Sequence, residues 1–314
     1  MVLAVTFPGQ GSQSVGMGAD LIAASANARA VFEEVDDALG ESLSKVIFEG
    51  PEETLTLTAN AQPALMAVSI AALRALEEKG FSIAENASYV AGHSLGEYSA
   101  LCAAGTFSVA DTARLLRIRG NAMQAAVPVG KGAMAAIIGL ADDVVASICK
   151  DASDSEPCAI ANDNGGGQLV ISGEKTAVEK AAALASEKGA KRALMLPVSA
   201  PFHSELMEPA ADAMAEALTE VEMNAPCVPL VANVLAAPIS DPEEIRAKLV
   251  EQVTGQVRWR ESVEWMGSNG VTKLAEVGAG KVLSGLARRI NRDIQTFNVA
   301  TPDDIDKALQ SISA

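Results

Sequence analysis

Apolar runs of strand length alternate with amphipathic runs of helix length along nearly the whole chain, the pattern of an α/β fold built on a largely parallel sheet. Leu3 to Phe7 reads as the first strand. From Ala61 to Glu78, Leu65, Val68, Ile70, Leu73 and Leu76 predict a helix that covers the sheet, with Pro63 near its start, where a missing N–H costs least. Ser88 to Ala91 is then a short buried strand, followed by the turn Gly92 to Gly96 and a helix from about Glu97. Asp111 to Gln124 is again helical: Leu115, Leu116, Ile118, Ala122 and Met123 share one side, with Arg114, Arg117 and Arg119 interspersed.

The rhythm changes between residues 127 and 198. Gly132 to Leu140 reads as strand, Asp142 to Ala152 as helix, Cys158 to Asn162 and Gln168 to Ser172 as strands, Lys175 to Lys188 as helix and Arg192 to Val198 as strand. That order is the one of a small ferredoxin-like domain, and Asp163-Asn164-Gly165-Gly166-Gly167 has the turn chemistry of a hairpin between its middle strands. After Ser199 the earlier style resumes, with Val228 to Val234, Lys273 to Val277 and Thr296 to Val299 as further strands. The expected architecture is a large α/β-hydrolase-like domain with a mainly parallel sheet, residues 1–126 and 199–314, interrupted by the ferredoxin-like domain of residues 127–198. A cleft should lie between the two.

Composition then removes whole classes of function. Of 314 residues 49% are hydrophobic and 20% charged, and the net charge is −16, so the chain is an acidic globular one that repels polyphosphate. No run of Lys and Arg interleaved with aromatics reverses that repulsion, and nucleic acid is not expected as a partner. The longest apolar stretches, Ala64 to Leu73 and Gly132 to Ala141, are about ten residues, well short of a membrane span. Met1 to Phe7 lacks the basic and long apolar regions of a signal peptide, so the expected location is the cytoplasm. Cys102, Cys149, Cys158 and Cys227 are scattered without close pairs and read as buried thiols. With only His93 and His203 and no H-E-x-x-H, no metal site is expected, and any imidazole chemistry must use one of these two.

Gly92-His93-Ser94-Leu95-Gly96 matches G-x-S-x-G between a predicted strand and a predicted helix, the context in which the motif presents a nucleophile. The strained turn and the close approach of neighbouring elements leave no room for a Cβ at the flanking glycines. At the helix start the Leu95 N–H is free to bind a developing oxyanion, aided by the helix dipole. A serine hydroxyl is a weak nucleophile without a base. His93, adjacent on a sharp turn, should point away from Ser94, whereas His203, in the loop Ser199-Ala200-Pro201-Phe202-His203-Ser204, can be aimed into the cleft. Gln10, in Phe7-Pro8-Gly9-Gln10-Gly11-Ser12-Gln13, offers side-chain and backbone donors at the carboxyl end of the first strand, where open α/β folds place ligands. Arg119, beside Gly120, ends an otherwise apolar helical face, and a guanidinium is suited to gripping a carboxylate. Arg114 and Arg117 read as solvated or paired with surface acids. Glu276-Val277-Gly278-Ala279-Gly280-Lys281 lacks the spacing of a dinucleotide fingerprint and reads as a strand-to-helix turn.

Taken together, FPGQGSQ, GHSLGEYSA, the Arg119-Gly120 helix and the Pro201-Phe202-His203 loop closely resemble the malonyl-CoA:acyl carrier protein transacylases, over essentially the whole chain. The resemblance implies transfer of a malonyl group from malonyl-CoA to the phosphopantetheine thiol of acyl carrier protein, in fatty-acid synthesis. Ser94 then matches the acylated nucleophile, His203 its base, Arg119 the carboxylate clamp, and Gln10 with the Leu95 N–H the oxyanion hole. Gln62, Asn162 and Asn164 align with polar residues lining the cleft. Phe202 matches a bulky residue associated with malonyl over methylmalonyl. Arg258 stands where the family commonly has a glutamine whose backbone carbonyl orients the base. The resemblance further implies no bound cofactor, malonyl-CoA as donor, the carrier as a transient partner, and a monomer. Acyl carrier proteins are acidic, so a chain of net charge −16 must offer one a local basic patch. Lys188, Lys191 and Arg192 form one candidate cluster; Lys281, Arg288 and Arg289 form the other.

The main rival is a serine esterase or thioesterase using the same elbow in the order Ser, Asp, His, with Asp142, Asp151 or Asp163 as its acid. Those acids fall in the small domain, and a hydrolase has no use for Arg119. A patatin-like dyad needs an Asp-Gly, which the chain lacks.

Overall fold

The computed structural model describes residues 2–153, 156–198 and 200–313; Met1 and Ser199, both named above, lie outside them. The ten strands among the described residues are β1 (Val2–Phe7), β2 (Tyr89–Gly92), β3 (Gly132–Ile138), β4 (Cys158–Asp163), β5 (Gln168–Glu174), β6 (Arg192–Met195), β7 (Leu230–Ala232), β8 (Ala237–Ile239), β9 (Val271–Val277) and β10 (Gln295–Val299). They form two sheets, in the orders β10-β9-β1-β2-β7-β8 and β4-β5-β3-β6. The fold is mixed α/β, and the larger sheet is mainly parallel.

In that larger sheet only β8 runs antiparallel, against β7. It was not visible in the hydrophobic pattern, being short and carrying Pro238, a residue an edge strand tolerates. β1 sits between β9 and β2 with Leu3 to Phe7 all buried, as expected of a strand covered on both faces. Phe7 is in register with Gly92, so the loops that follow β1 and β2 leave the sheet side by side at its carboxyl edge. That register places Gln10 near the serine turn.

The helix Thr58–Glu77 covers this sheet and begins three residues before the predicted start at Ala61, so Pro63 lies inside it. Proline has no N–H for the carbonyl one turn back. Arg117 Nη1 donates to that carbonyl, Ala59 O, at 2.7 Å, while Nη2 pairs with Glu41. Arg114 pairs with Asp111. Both arginines are therefore paired with acids, as the sequence implied. The helix Val109–Ala125 crosses closely at Gly120, where a Cβ would fall 2.6 Å from Ala59 Cα.

The second sheet is wholly antiparallel and is interleaved with the helices Asp142–Ala152 and Lys175–Glu187. Strand periodicity divides its residues: Ala133, Ala135 and Ile137 of β3 pack with Val145, Ile148 and Val178, whereas Met134 turns to the other side and joins the main core. The expected hairpin joins β4 to β5 through Gly165, Gly166 and Gly167, with φ of +74°, +62° and +72°, conformations open to glycine. Val257 N–H donates to Ala161 O at 2.8 Å and Asp163 N–H to Val257 O at 3.0 Å, tying β4 to the rest of the chain. In the EVGAGK segment, Glu276 at the end of β9 accepts the N–H groups of Leu283 (3.0 Å) and Ser284 (2.7 Å), capping the helix Val282–Ile290. It is a strand-to-helix turn, as expected. Among the described residues, no helix is long and apolar enough to cross a membrane.

Candidate active site

Ser94 lies two residues beyond the end of β2 and has φ +53°, a strained value for a residue with a side chain. Two glycines make the turn possible. A Cβ on Gly92 would lie 1.9 Å from Gly96 O, and one on Gly96 would lie 2.3 Å from Phe7 O. Gly9 plays the same part on the neighbouring loop, where a Cβ would lie 2.7 Å from His93 O. The Leu95 N–H, at the start of the helix Gly96–Ala103, has no hydrogen-bond partner among the described residues. The Ser94 N–H, in contrast, donates to Asn233 Oδ1 at 2.8 Å.

His203 lies 109 residues from Ser94 in sequence, yet its Nε2 accepts the Ser94 hydroxyl at 2.7 Å. It too has a left-handed backbone, with φ +56°. Nδ1–H donates to two main-chain carbonyls, Gln252 O at 2.8 Å and Gly255 O at 3.1 Å, which fixes the tautomer that leaves Nε2 free to take a proton. Burial, helped by the nearby Arg119 charge, holds the imidazole down to about 3, so the ring is neutral and ready as a base. His93 points elsewhere: its Nε2 lies 2.9 Å from Asn164 Oδ1 and its ring centroid 5.8 Å from that of Trp259.

Arg119 is 1% exposed. Nη1 donates to Gln62 Oε1 at 2.7 Å; Nη2 donates to Gln252 Oε1 at 2.9 Å and to Ser94 Oγ at 3.2 Å. Its guanidinium carbon stands 5.7 Å from the centre of the Tyr98 ring. Among the described residues no carboxylate forms an ion pair with it. A buried cation held only by neutral groups, two amides, a hydroxyl and an aromatic ring, is an expensive arrangement, tolerated where an anion is to be bound.

A cavity of about 400 Å³ is lined by Ser94, His203, Arg119 and Leu95, and also by Gln10, Gln62, Asn162, Asn164 and Phe202. Some of these have partners already: Gln62 holds Arg119, Asn164 holds His93, and the Gln10 side chain donates to Thr58 Oγ1 at 3.3 Å. Arg258 is the exception. Its backbone N–H donates to Asn233 O, its carbonyl accepts from Ser262, and its guanidinium pairs with Glu261. It does not orient the base. That duty belongs to Gln252 and Gly255, at the end of the helix Pro242–Thr254, because the helix terminus rather than the following turn presents its carbonyls to His203.

The acids of the esterase reading are also engaged elsewhere. Asp142 and Asp163 pair with Arg260, and Asp151 with Lys188. Among the described residues no Ser-His-Asp triad forms.

Three residues missed in the sequence complete the site. Gln252 lies on the buried stripe of Ile245, Leu249 and Val253, and a polar residue on such a stripe is a legible signal. Asn233 follows β7 at the same carboxyl edge as Ser94. Glu97, 2% exposed, accepts the Asn233 N–H at 3.1 Å and a hydrogen bond from Gln252 Nε2.

The sequence profile of the family described as acyl transferase domain matches residues 5–279. The chain belongs to that family. Among individual acyl transferases, the malonyl CoA-acyl carrier protein transacylase of Bacillus subtilis (strain 168) is 45% identical over 311 residues, covering 99% of this chain and 97% of its own. The crystal structure of the acyl-carrier-protein-S-malonyltransferase from Bartonella henselae is 63% identical, covers 100% of both chains and has a TM-score of 0.98. A third acyl transferase, a malonyl-transacylase solved in complex with its type II PKS acyl-carrier protein, is 43% identical over 99% of this chain and 100% of its own, with a TM-score of 0.96.

Proposed function

We propose that this acyl transferase moves a malonyl group from malonyl-CoA to the phosphopantetheine thiol of an acyl carrier protein in fatty-acid synthesis, through a malonyl-serine intermediate. The observation that carries the reading is the buried Arg119 guanidinium, which donates to the nucleophile's oxygen at 3.2 Å and has no acid partner among the described residues. Malonyl-CoA offers a carboxylate at one end of its acyl group and a thioester carbonyl at the other. A cation set beside the nucleophile matches that pair of ends.

In the acylation half, His203 Nε2 takes the Ser94 proton as Oγ attacks the thioester carbonyl. The oxyanion is received by the Leu95 N–H and the Gln10 backbone N–H, the Gln10 side chain being turned to Thr58. Collapse breaks the C–S bond, and the departing thiolate takes the proton from His203. In the second half the carrier's thiol gives its proton to His203, attacks the malonyl-serine ester, and Ser94 recovers the proton. The kinetics are ping-pong. Three side chains and two backbone donors suffice, with no bound cofactor.

Asn162 and Phe202 complete the acyl pocket, Phe202 crowding a branched α-carbon by about 1 to 3 kcal/mol, a preference for malonyl over methylmalonyl and not an exclusion. We infer that residues 127–198 are the ferredoxin-like insert because the four-stranded order β4-β5-β3-β6 accompanies the strand, helix, strand, strand, helix, strand succession.

For the carrier, the two basic clusters reduce to one surface. Arg288 is turned onto Thr296 and Lys188 onto Asp151. Lys191 runs past Gly139, whose N–H donates to Gly167 O, and Arg289 lies against Gly166 and donates to Gln168. Both flank the β4–β5 hairpin, and Gln168 lines the cavity. We therefore place the acidic carrier over this hairpin.

Incubation with malonyl-CoA followed by peptide mass spectrometry tests the reading. A malonyl adduct on the Ser94 peptide, absent from Ser94→Ala, is the expected result; thiol release with no adduct would make the chain a hydrolase.

A further inference from the structure

Two buried ionisable groups flank the nucleophile without touching each other. Arg119 Nη2 donates to Gln252 Oε1 at 2.9 Å, and Nε2 of the same amide donates to Glu97 Oε2 and to Ser94 O at 3.0 Å. Glu97 and Arg119 are 2% and 1% exposed. A single side-chain amide thus joins them head to tail. Both Glu97 oxygens accept hydrogen bonds, Oε1 from the Asn233 N–H, and no group is placed to require a proton there. The other titratable groups facing this cluster are Tyr98, on Glu97's own helix, and His203, and both are neutral: burial pushes Tyr98 up to about 12 and holds His203 down to about 3.

Above the value of about 8 to which its surroundings raise it, Glu97 is therefore ionised and balances Arg119 at one amide's remove. A malonyl carboxylate arriving at Arg119 brings a second anion into the same buried surroundings, and two carboxylates cannot share one cation there without one of them taking a proton. We propose that Glu97 is the displaceable counter-charge of the clamp: when the acyl carboxylate engages Arg119, Glu97 takes up one proton from solvent and becomes a neutral acid. The step forms one O–H bond on the Glu97 carboxylate and changes no oxidation state. Glu97 acts through Gln252 and touches no substrate atom, so it is a positioning residue. The proposal rests on the clamp reading of Arg119 given above. Burial, partly offset by the Asn233 and Gln252 hydrogen bonds and by the Arg119 charge, pushes Glu97 up to about 8, so its coupling to malonyl is largest above that pH.

The test is infrared difference spectroscopy of malonyl-enzyme, freed of CoA, minus free enzyme, at roughly pH 9, above the Glu97 value of about 8. The expected result is a carboxylic-acid C=O band that shifts in D2O, moves when the protein's glutamate carboxyls carry 13C, and stays put when the malonyl group does. The band is expected to vanish in Glu97→Gln. In parallel, KM for malonyl-CoA should rise by up to about tenfold per pH unit above the Glu97 value in the wild type and stay flat in Glu97→Gln. A malonyl-enzyme without the band overturns the proposal and leaves the clamp intact. A band that follows the malonyl label puts the proton on the substrate and also overturns it. If no malonyl-enzyme forms, the transfer reading itself fails, and the proposal with it. The glutamate label decides the matter even if Glu97→Gln does not fold.

Discussion

His203 Nδ1 donates to the main-chain oxygen of Gln252 at 2.8 Å, while the Gln252 side chain accepts from Arg119 at 2.9 Å. One residue near the end of the helix Pro242–Thr254 thus orients the base and braces the cation. A carbonyl orients the ring as an acid would, yet adds no full negative charge beside it, so the two carbonyl hydrogen bonds only partly offset the burial that keeps the imidazole neutral.

The pH response follows from that environment. With the imidazole held down to about 3 against its usual 6.5, the base remains competent well below neutrality. Acylation kcat/KM should show no inflection near pH 6.5, and His203→Ala should lose about 10²- to 10⁴-fold. The unfolded chain binds this proton between the two values and the folded chain does not, so His203 stabilises fully above 6.5 and progressively less as pH falls through that window. Rate profiles and thermal melts of wild type and His203→Gln check both statements.

Removing the guanidinium leaves an acyl carboxylate with no cation. Arg119→Ala is expected to lower kcat/KM for malonyl-CoA by about 10- to 100-fold and to raise the relative rate with acetyl-CoA. Arg119→Lys should recover little, because one ammonium cannot serve Gln62, Gln252 and Ser94 in the geometry of the planar fork. Competition between the two acyl donors measures it directly.

Gly120 sets where Arg119 stands. A Cβ there meets Ala59 Cα at 2.6 Å and Thr58 O at 2.8 Å, and backbone cannot move aside as a side chain can. Gly120→Ala should cost about 1 to 3 kcal/mol in denaturant unfolding and impair malonyl loading more than it impairs folding.

Charge reversal at the hairpin rim separates docking from chemistry. Lys191→Glu with Arg289→Glu should raise KM for the carrier and flatten its salt dependence, with kcat little changed. An unchanged KM would move the carrier to another face.

The large sheet and the small antiparallel sheet were legible because strand and helix periods alternate along the chain and three consecutive glycines mark the hairpin. Ser94 was legible because a strained elbow needs Gly92 and Gly96 in fixed places. His203 followed from scarcity, since only two histidines exist. Gln252 and Asn233 were not found because their roles are carried by a backbone carbonyl and by an amide reaching the Ser94 N–H, and neither role is written in a residue type. The same cause misplaced the orienting carbonyl at Arg258: a main-chain acceptor has no sequence signature, and only the helix end shows where it points.

The most direct test of malonyl transfer is single-turnover discharge of isolated malonyl-enzyme, mixed either with phosphopantetheinylated acyl carrier protein or with buffer alone. Rapid appearance of malonyl on the carrier, with the Ser94 ester surviving in buffer over the same time, is the predicted result. Equal loss of the ester in both mixtures, with no malonyl on the carrier, would contradict it.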